Sequence, residues 1–468
     1  MGRDRRLRVW VIGMSILVFF AQTWGFHLLF DGLTYSVLAR NILSSGDWLH
    51  LHYGLEQYPE FFQHPPLAIW IQAILYKFIG HSEPASRLLP ASLAVLSVVL
   101  VFEYLRRRAG LAAGVFASVV LVSSTRFVKW GSNFYLDGIL SFFGLAAALL
   151  LSEGFEFRNR NPQRAMILMF LAGVSIACAF MVKGIAALPA LGACGVVLLF
   201  HVDRKIFLPV FAVLMGAVFP LFLWCGLGNG REYIEKYLEV SARGRTDFNQ
   251  FSIHPWRNLY LIWLPWFPVF AWGLLSGLRR FFQGDRLGRE RVMWGFCALL
   301  VPLAYSFGVV YMEHYLTPFY PLAAISCGLT LAHWMPLVRE RAERWMWVGL
   351  GVGSIFLATL APDVNFQKLQ PADRWLLQVR NLKPGAQKRV RQIAFTSSSG
   401  ELWLNLAILL GRSDSQAIGA FDPARSTIPG TLLVATPDEV PSVDWVELPC
   451  LRIPDFKFYS SRNENYCD

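Results

Sequence analysis

Apolar runs close to the length of a membrane span recur along this chain from its first residues to about position 361. A helix needs roughly 20 apolar residues to cross the hydrocarbon core. The runs fall at about 9–30, 87–104, 109–125, 133–152, 165–182, 184–200, 206–227, 256–278, 292–312, 314–334 and 345–361. A soluble domain carries about a quarter charged residues, whereas this chain is 16% charged and 55% hydrophobic, with a mean hydropathy of +0.42. The pattern predicts a polytopic α-helical membrane protein of about eleven spans.

The net charge of +11 raises the question of nucleic acid, but the basic residues form no single face or arm. They come in clusters between apolar runs: Arg106/Arg107/Arg108, Arg158/Arg160/Arg164, Arg204/Lys205, Arg279/Arg280/Arg286/Arg289/Arg291 and Arg339/Arg341/Arg344. That is the distribution that orients spans, not one that tracks a phosphate backbone. MGRDRRLR precedes a first run too long for a signal peptide and without a small-x-small site, so it reads as an uncleaved span with its N-terminus in the cytoplasm. Every basic cluster then falls on the inner side, and the chain ends outside.

From position 363 the pattern changes. Residues 391–396 and 431–435 read as strands and 401–410 has a helical apolar spacing, with turn signals between them. The expectation is a membrane domain over 1–362, whose outer loop covers 31–86, and a small α/β domain over 363–468 on the outer side. Cys178, Cys194, Cys225, Cys297 and Cys327 lie in apolar runs, whereas Cys450 and Cys467 are the two in the C-terminal part. In an oxidising compartment those two are the natural disulfide pair.

The longest polar interruption of the first half, residues 31–66, opens on Asp31. Asp31 starts an amphipathic segment, and a carboxylate there either caps the helix or reacts. The short apolar run 67–80, with Trp70 and Tyr76, reads as a helix lying in the interface. Asp137 stands at the start of another apolar run near the same face. An acid at that depth lines a cavity or pairs with a cation, here Arg126 or Lys129. Two such acids suit acid–base work or a divalent cation. Lys183, Arg126, Lys129, Arg243 and Arg245, with Tyr315, supply groups for a phosphate at the outer interface, a lipid phosphate above all. His50, His52 and His64 are spaced too loosely to define a metal site, and histidines bonded to carbonyls read as well as metal ligands.

GDWLHLHYGLEQYPEFFQHPPLAIWIQA resembles the first outer loop of the bacterial aminoarabinose transferases that modify lipid A, and of their relatives the protein O-mannosyltransferases. The likeness continues in order through ASRLLPA, FYLDGIL, MVKG and HYLTPFYP, covering most of residues 1–335. It implies a GT-C type enzyme at the outer face of the bacterial inner membrane, with a polyprenyl-phosphate-linked sugar as donor. Transfer would proceed with inversion to lipid A, another envelope glycolipid or protein Ser/Thr. By this resemblance Asp31 matches the first-loop catalytic acid, Asp137 the supporting acid, and Lys183 and Tyr315 groups facing the donor phosphate. One departure stands out: the relatives' Glu-Lys before Pro-Pro is Gln63-His64 here, and His64 replaces the lysine at a phosphate only when protonated. Two other classes remain, a flippase or transporter and an envelope assembly protein. A flippase would place its polar residues at the membrane midplane, not at one face.

Overall fold

The computed structural model describes residues 3–21, 30–53, 60–201, 207–239, 251–308, 311–334, 392–395, 418–420, 431–435, 445–447 and 457–461. The helices in chain order are α1 Arg3–Ala21, α2 Phe30–Ser45, α3 Leu67–Ile79, α4 Glu83–Arg108, α5 Leu111–Val122, α6 Thr125–Ser132, α7 Leu136–Phe157 and α8 Pro162–Lys183. They continue with α9 Leu188–Phe200, α10 Phe207–Leu227, α11 Gly230–Tyr237, α12 His254–Ile262, α13 Phe267–Phe281, α14 Arg286–Tyr305 and α15 Phe319–Trp334. The chain divides into two compact units. One comprises Met1–Gly25 with Phe62–Pro362, and the other Phe26–Phe61 with Asp363–Asp468.

In the first unit three of the helices begin on a side-chain cap. The Ser82 side chain accepts from the Ala85 amide ahead of α4, Asn161 from Arg164 ahead of α8, and Asp285 from Gly288 ahead of α14. Each satisfies an amide that the first helical turn leaves unpaired. Five segments among the described residues are long and apolar enough to cross a membrane, or up to seven if each of two bent pairs is one span. The eleven expected runs therefore do not translate into eleven straight helices. The run 109–125 ends at Val122 and turns by 70° into α6, and the run 256–278 is two helices meeting at 111°. The run 345–361 lies outside the described residues.

The two elbows hold each other. Trp263 and Trp266, in the α12–α13 elbow, donate their indole N–H groups to Ser124 and Ser123 in the α5–α6 elbow, at 2.8 and 3.0 Å. The serine hydroxyls in turn donate to the carbonyls of Val120 and Val119. Four polar groups in an apolar core are thus satisfied together.

One of the five long segments, Pro162–Phe200, has 39 residues, about 58 Å if it were straight. It is not straight. Gly154 near the end of α7 packs against Ala165 and Met169 early in α8, while Gly144 of α7 meets Ala190 of α9. His201, just after α9, stacks on Phe155 of α7 at 4.7 Å. So α8 runs antiparallel to α7, α9 runs parallel to it, and the chain doubles back between Lys183 and Leu188. The separate apolar runs expected at 165–182 and 184–200 are the two arms of this hairpin. Against its first arm, Gly173 and Gly216 bring α8 and α10 into backbone contact. A Cβ on either would lie 2.0 Å from a carbonyl oxygen of the other helix.

Basic cluster and acids meet at one end of the bundle. Arg108 of α4 lies 3.6 Å from Glu153, 3.0 Å from Glu156 and 3.3 Å from Glu290, and Arg286 reaches Glu156 at 3.1 Å. Arg8 of α1 reaches Glu103 at 3.3 Å. The start of α1, the ends of α4 and α7 and the start of α14 therefore share one end, as the alternation of basic clusters requires. On the outside of the bundle α10 exposes Phe207, Phe211, Leu214, Val218 and Phe222, a face suited to lipid. The short α3 buries Ala68, Ile69, Gln72, Ala73 and Tyr76 and exposes Ile74, Phe78 and Ile79. It has the length and one-sided exposure expected for an interfacial helix.

The second unit contains α2 and a mixed sheet. The strands are β1 Gln392–Phe395, β2 Ile418–Ala420, β3 Thr431–Ala435, β4 Trp445–Glu447 and β5 Lys457–Ser461, in the order β2-β1-β3-β5-β4. β1 pairs parallel with β2 and β3, whereas β5 is antiparallel to β3 and β4. β1 and β3 are the two strands expected from the sequence. The expected helix at 401–410, Cys450 and Cys467 lie outside the described residues. α2 spans the amphipathic segment and ends at Gly46, whose positive φ of 74° makes the turn. It is buried more widely than its pattern predicts: Thr34, Ser36 and Asn41 are buried along with Tyr35, Val37, Leu38 and Ile42. Asn41 has a reason, since its side-chain amide donates to the carbonyl of His52 at 3.0 Å.

Candidate active site

At the end of the first unit opposite Arg108, three turns bring polar side chains together. Asp137 lies in the first turn of α7, where the helix dipole favours a carboxylate. Lys183 is the last residue of α8, and His314 and Tyr315 sit in a 3-10 turn, Glu313–Leu316, before α15. Asp137 and Lys183 are 1% and 5% exposed, so neither charge could stay buried without a partner. Lys183 Nζ donates to Asp137 Oδ2, and His314 Nε2 lies 3.7 Å from the same oxygen. The ammonium also stands over the Tyr315 ring, 4.6 Å from its centre. Tyr315 stacks on Tyr305 at 5.1 Å.

Among the buried polar atoms with no hydrogen-bond partner among the described residues are Asp137 Oδ1 and the Tyr305 hydroxyl. A buried acceptor and donor left open in this way cost stability, and they offer hydrogen bonds to a ligand.

The Lys183 position depends on the hairpin turn. Gly184 has φ of +58°, and a Cβ there would lie 2.3 Å from the Tyr237 ring. Tyr237 of α11 accepts from the Ile185 amide at 2.9 Å and donates to the Lys183 carbonyl at 3.5 Å. One helical turn earlier, Tyr233 donates to the His64 carbonyl at 2.8 Å. α11 thus ties the Gln63-His64-Pro-Pro stretch and the Lys183 turn to one helical face, as residues four apart allow. On the other flank His314 contacts the rings of Trp130 and Tyr135 at 5.4 and 5.0 Å. Arg126 pairs with Glu313 at 3.2 Å, and Lys129 stands over Trp130.

Of the residues chosen from sequence, the structure joins Asp137, Lys183 and Tyr315, and places Arg126 on Glu313 beside them in the chain. The expected partners of Asp137, Arg126 and Lys129, are replaced by Lys183 from α8. Asp31 lies in the first turn of α2, in the second unit. Arg243 and Arg245 lie outside the described residues. His50 is bound to Asp47 at 3.0 Å in an exposed turn. Slight burial raises the Asp47 pKa, but the amides of His50 and Leu49 and the His50 ring outweigh it and hold the carboxyl below its ordinary range. His52 contributes its carbonyl to Asn41. No group of three or more His, Cys, Asp or Glu side chains placed to hold a metal ion occurs among the described residues. Sequence reasoning missed Tyr233, Tyr237, Tyr305 and His314. The i, i+4 tyrosines of REYIEKY and the histidine beside Tyr315 were the available signals.

Residues 63–225 match the model of the dolichyl-phosphate-mannose-protein mannosyltransferase family. The chain is 26% identical over 363 residues to an undecaprenyl phosphate-α-4-amino-4-deoxy-L-arabinose arabinosyl transferase of Pectobacterium carotovorum, covering 71% of this chain and 60% of that one. It is 25% identical over 395 residues to the enzyme so named in Aeromonas salmonicida, covering 76% and 66%. The chain therefore spans about three fifths to two thirds of the length of these relatives. Among solved structures it resembles ArnT from Cupriavidus metallidurans bound to undecaprenyl phosphate, with a TM-score of 0.73 at 16% identity over 98% of both chains. The Archaeoglobus fulgidus oligosaccharyltransferase follows at 0.56 and 12% identity, over 93% of this chain and 69% of that one.

These likenesses define the fold, which is the one shared by ArnT and the archaeal oligosaccharyltransferase. By sequence the chain is similar to aminoarabinose transferases over 71% of its length, and to the protein mannosyltransferase model over residues 63–225.

Proposed function

We propose that this protein transfers a sugar from undecaprenyl phosphate to lipid A at the outer face of the bacterial inner membrane. 4-Amino-4-deoxy-L-arabinose, named for its relatives, is the sugar proposed. The observation that carries the reading is the buried Asp137–Lys183 pair beside Tyr315, with an open carboxylate oxygen and an open tyrosine hydroxyl next to it. In the reaction an acceptor oxygen attacks the anomeric carbon from the side opposite the phosphate. The carbon–oxygen bond to the phosphate breaks, the configuration inverts, and polyprenyl phosphate leaves.

Asp31 is assigned the role of accepting the acceptor's proton, and Asp137 the role of holding Lys183 and the sugar. Lys183, Tyr315, Arg126, Arg243 and His64 are assigned to the leaving phosphate, whose growing charge cations and hydroxyls stabilise. The topology that goes with this reading has the N-terminus inside, about eleven crossings, and the α/β domain of 363–468 outside with Cys450 and Cys467 paired. Transfer to protein Ser/Thr is the second reading, favoured by the match of residues 63–225 to the protein mannosyltransferase model.

The test is mass spectrometry of lipid A and envelope glycolipids from a deletion strain, complemented with wild type, Asp31→Asn or Asp137→Asn. Loss of one sugar-sized mass, restored by wild type alone, supports the proposal. An unchanged glycolipid profile shifts the acceptor to protein, and restoration by both variants removes the catalytic assignment.

A further inference from the structure

Between α9 and α14 the first unit carries an apolar groove of about 510 Å³, lined by Val196, Leu199, Phe296, Leu300 and Leu303 and ending on Trp256. Trp256 marks one end, because its indole donates to Ser306 just beyond α14 at 2.8 Å. Towards the end of the bundle that carries Arg108, a second cavity of about 440 Å³ follows, also lined by Leu199 and Phe200, with Gly284, Asp285 and Arg289 at its rim. From Arg289 to Leu303 the helix rises about 21 Å, somewhat more than half of the ~30 Å hydrocarbon core.

The charges at the rim are not equivalent. Asp285 is engaged, accepting from the Gly288 amide at 3.0 Å and lying 3.7 Å from Arg280. Arg286 is taken up by Glu156 and Glu290. The Arg289 guanidinium is exposed and has no ion pair among the described residues. The groove between α9 and α14 is therefore lined by apolar side chains and ends on an indole of the kind found at membrane interfaces, and the cavity that continues it carries Arg289 at its rim.

We propose that this groove is a binding site for an anionic phospholipid, with one acyl chain between α9 and α14 and the headgroup phosphate on Arg289. Basic pockets between spans on the cytoplasmic side hold anionic headgroups in this way. The site is separate from the proposed donor-phosphate groups Lys183 and Tyr315, which stand at the opposite end of the α8–α9 hairpin. The inference does not depend on the reaction proposed above.

The full chain, purified in detergent and delipidated, is titrated with dioleoyl-phosphatidylglycerol or dioleoyl-phosphatidylcholine and read by native mass spectrometry. Wild type should retain one phosphatidylglycerol with about a fivefold preference over phosphatidylcholine, the effect of one arginine on an anionic lipid. Arg289→Gln, a change at an exposed side chain, should abolish the preference and leave phosphatidylcholine retention unchanged. Val196→Trp, which fills the groove, should reduce retention of both. Equal retention of the two lipids by wild type, an Arg289→Gln protein that keeps the preference, or a co-purified polyprenyl phosphate displaced by Val196→Trp would each overturn the proposal.

Discussion

Asp137 places one oxygen on Lys183 and leaves the other unbonded, so the pair has both a structural and a chemical side that mutation can separate. Removing one member of a buried pair strands the other charge, at about 3–5 kcal/mol. Asp137→Asn and Lys183→Met are each expected to lower the melting temperature and abolish transfer. The double variant should recover most of the stability and remain inactive, read by thermal unfolding alongside the glycolipid assay. A double variant that regained transfer would make the pair purely structural. Gly184→Ala should cost about 1–3 kcal/mol through its left-handed backbone alone, and more from its collision with Tyr237. Its signature is a loss of activity together with stability. Asp137, Lys183 and Tyr315 were legible because ionisable and phenolic groups stand out where apolar runs end. His314, Tyr305 and Tyr237 were not, since only packing brings α11, α14 and the turn before α15 to the end of α8.

Hydropathy foretold the hairpin arms α8 and α9 and the short apolar helix α3, because apolar length is a local property of sequence. It did not foretell the bends at Ser123–Ser124 and Trp263–Trp266, where apolar character continues through the break. The hydrogen bonds that hold each elbow come from the other. The contact between α8 and α10 is equally tertiary: Gly173 and Gly216 look like any membrane glycine until their backbones are seen to touch. Small residues allow such approach in lipid, where no hydrophobic force drives helices together. Gly216→Leu is expected to separate the two helices and destabilise by at least the 1–3 kcal/mol typical of overpacking. Size-exclusion and thermal-shift measurements in detergent would show it, and a variant with wild-type stability would refute the packing.

At the scale of the first unit, paired charges gather at its two ends among the described residues. The Arg108 cluster collects three carboxylates around one nearly buried guanidinium, and His201 lies beside it. Burial on Phe155 lowers the His201 pKa, with repulsion from Arg289, Arg108 and Arg158 adding to it and the bond to the Val197 carbonyl opposing. A lowered folded pKa means that this contribution is fully present above about 6.5, the ordinary histidine value. It is lost as pH falls through the folded value. Thermal stability should therefore decline below about pH 6.5, and less steeply in His201→Gln. An identical slope would show that His201 titrates as it does in the unfolded chain.

At the other end, Lys183 is already held by Asp137 and Arg126 by Glu313. If the proposed donor binds there, its phosphate would meet Lys183 and Arg126 already paired and would bind them by exchanging partners with carboxylates inside the protein. Little counterion is set free in such an exchange. Donor affinity should then vary with ionic strength far less than the number of basic residues suggests, by less than about threefold between 0.05 and 0.5 M salt, where exposed pairs would be screened.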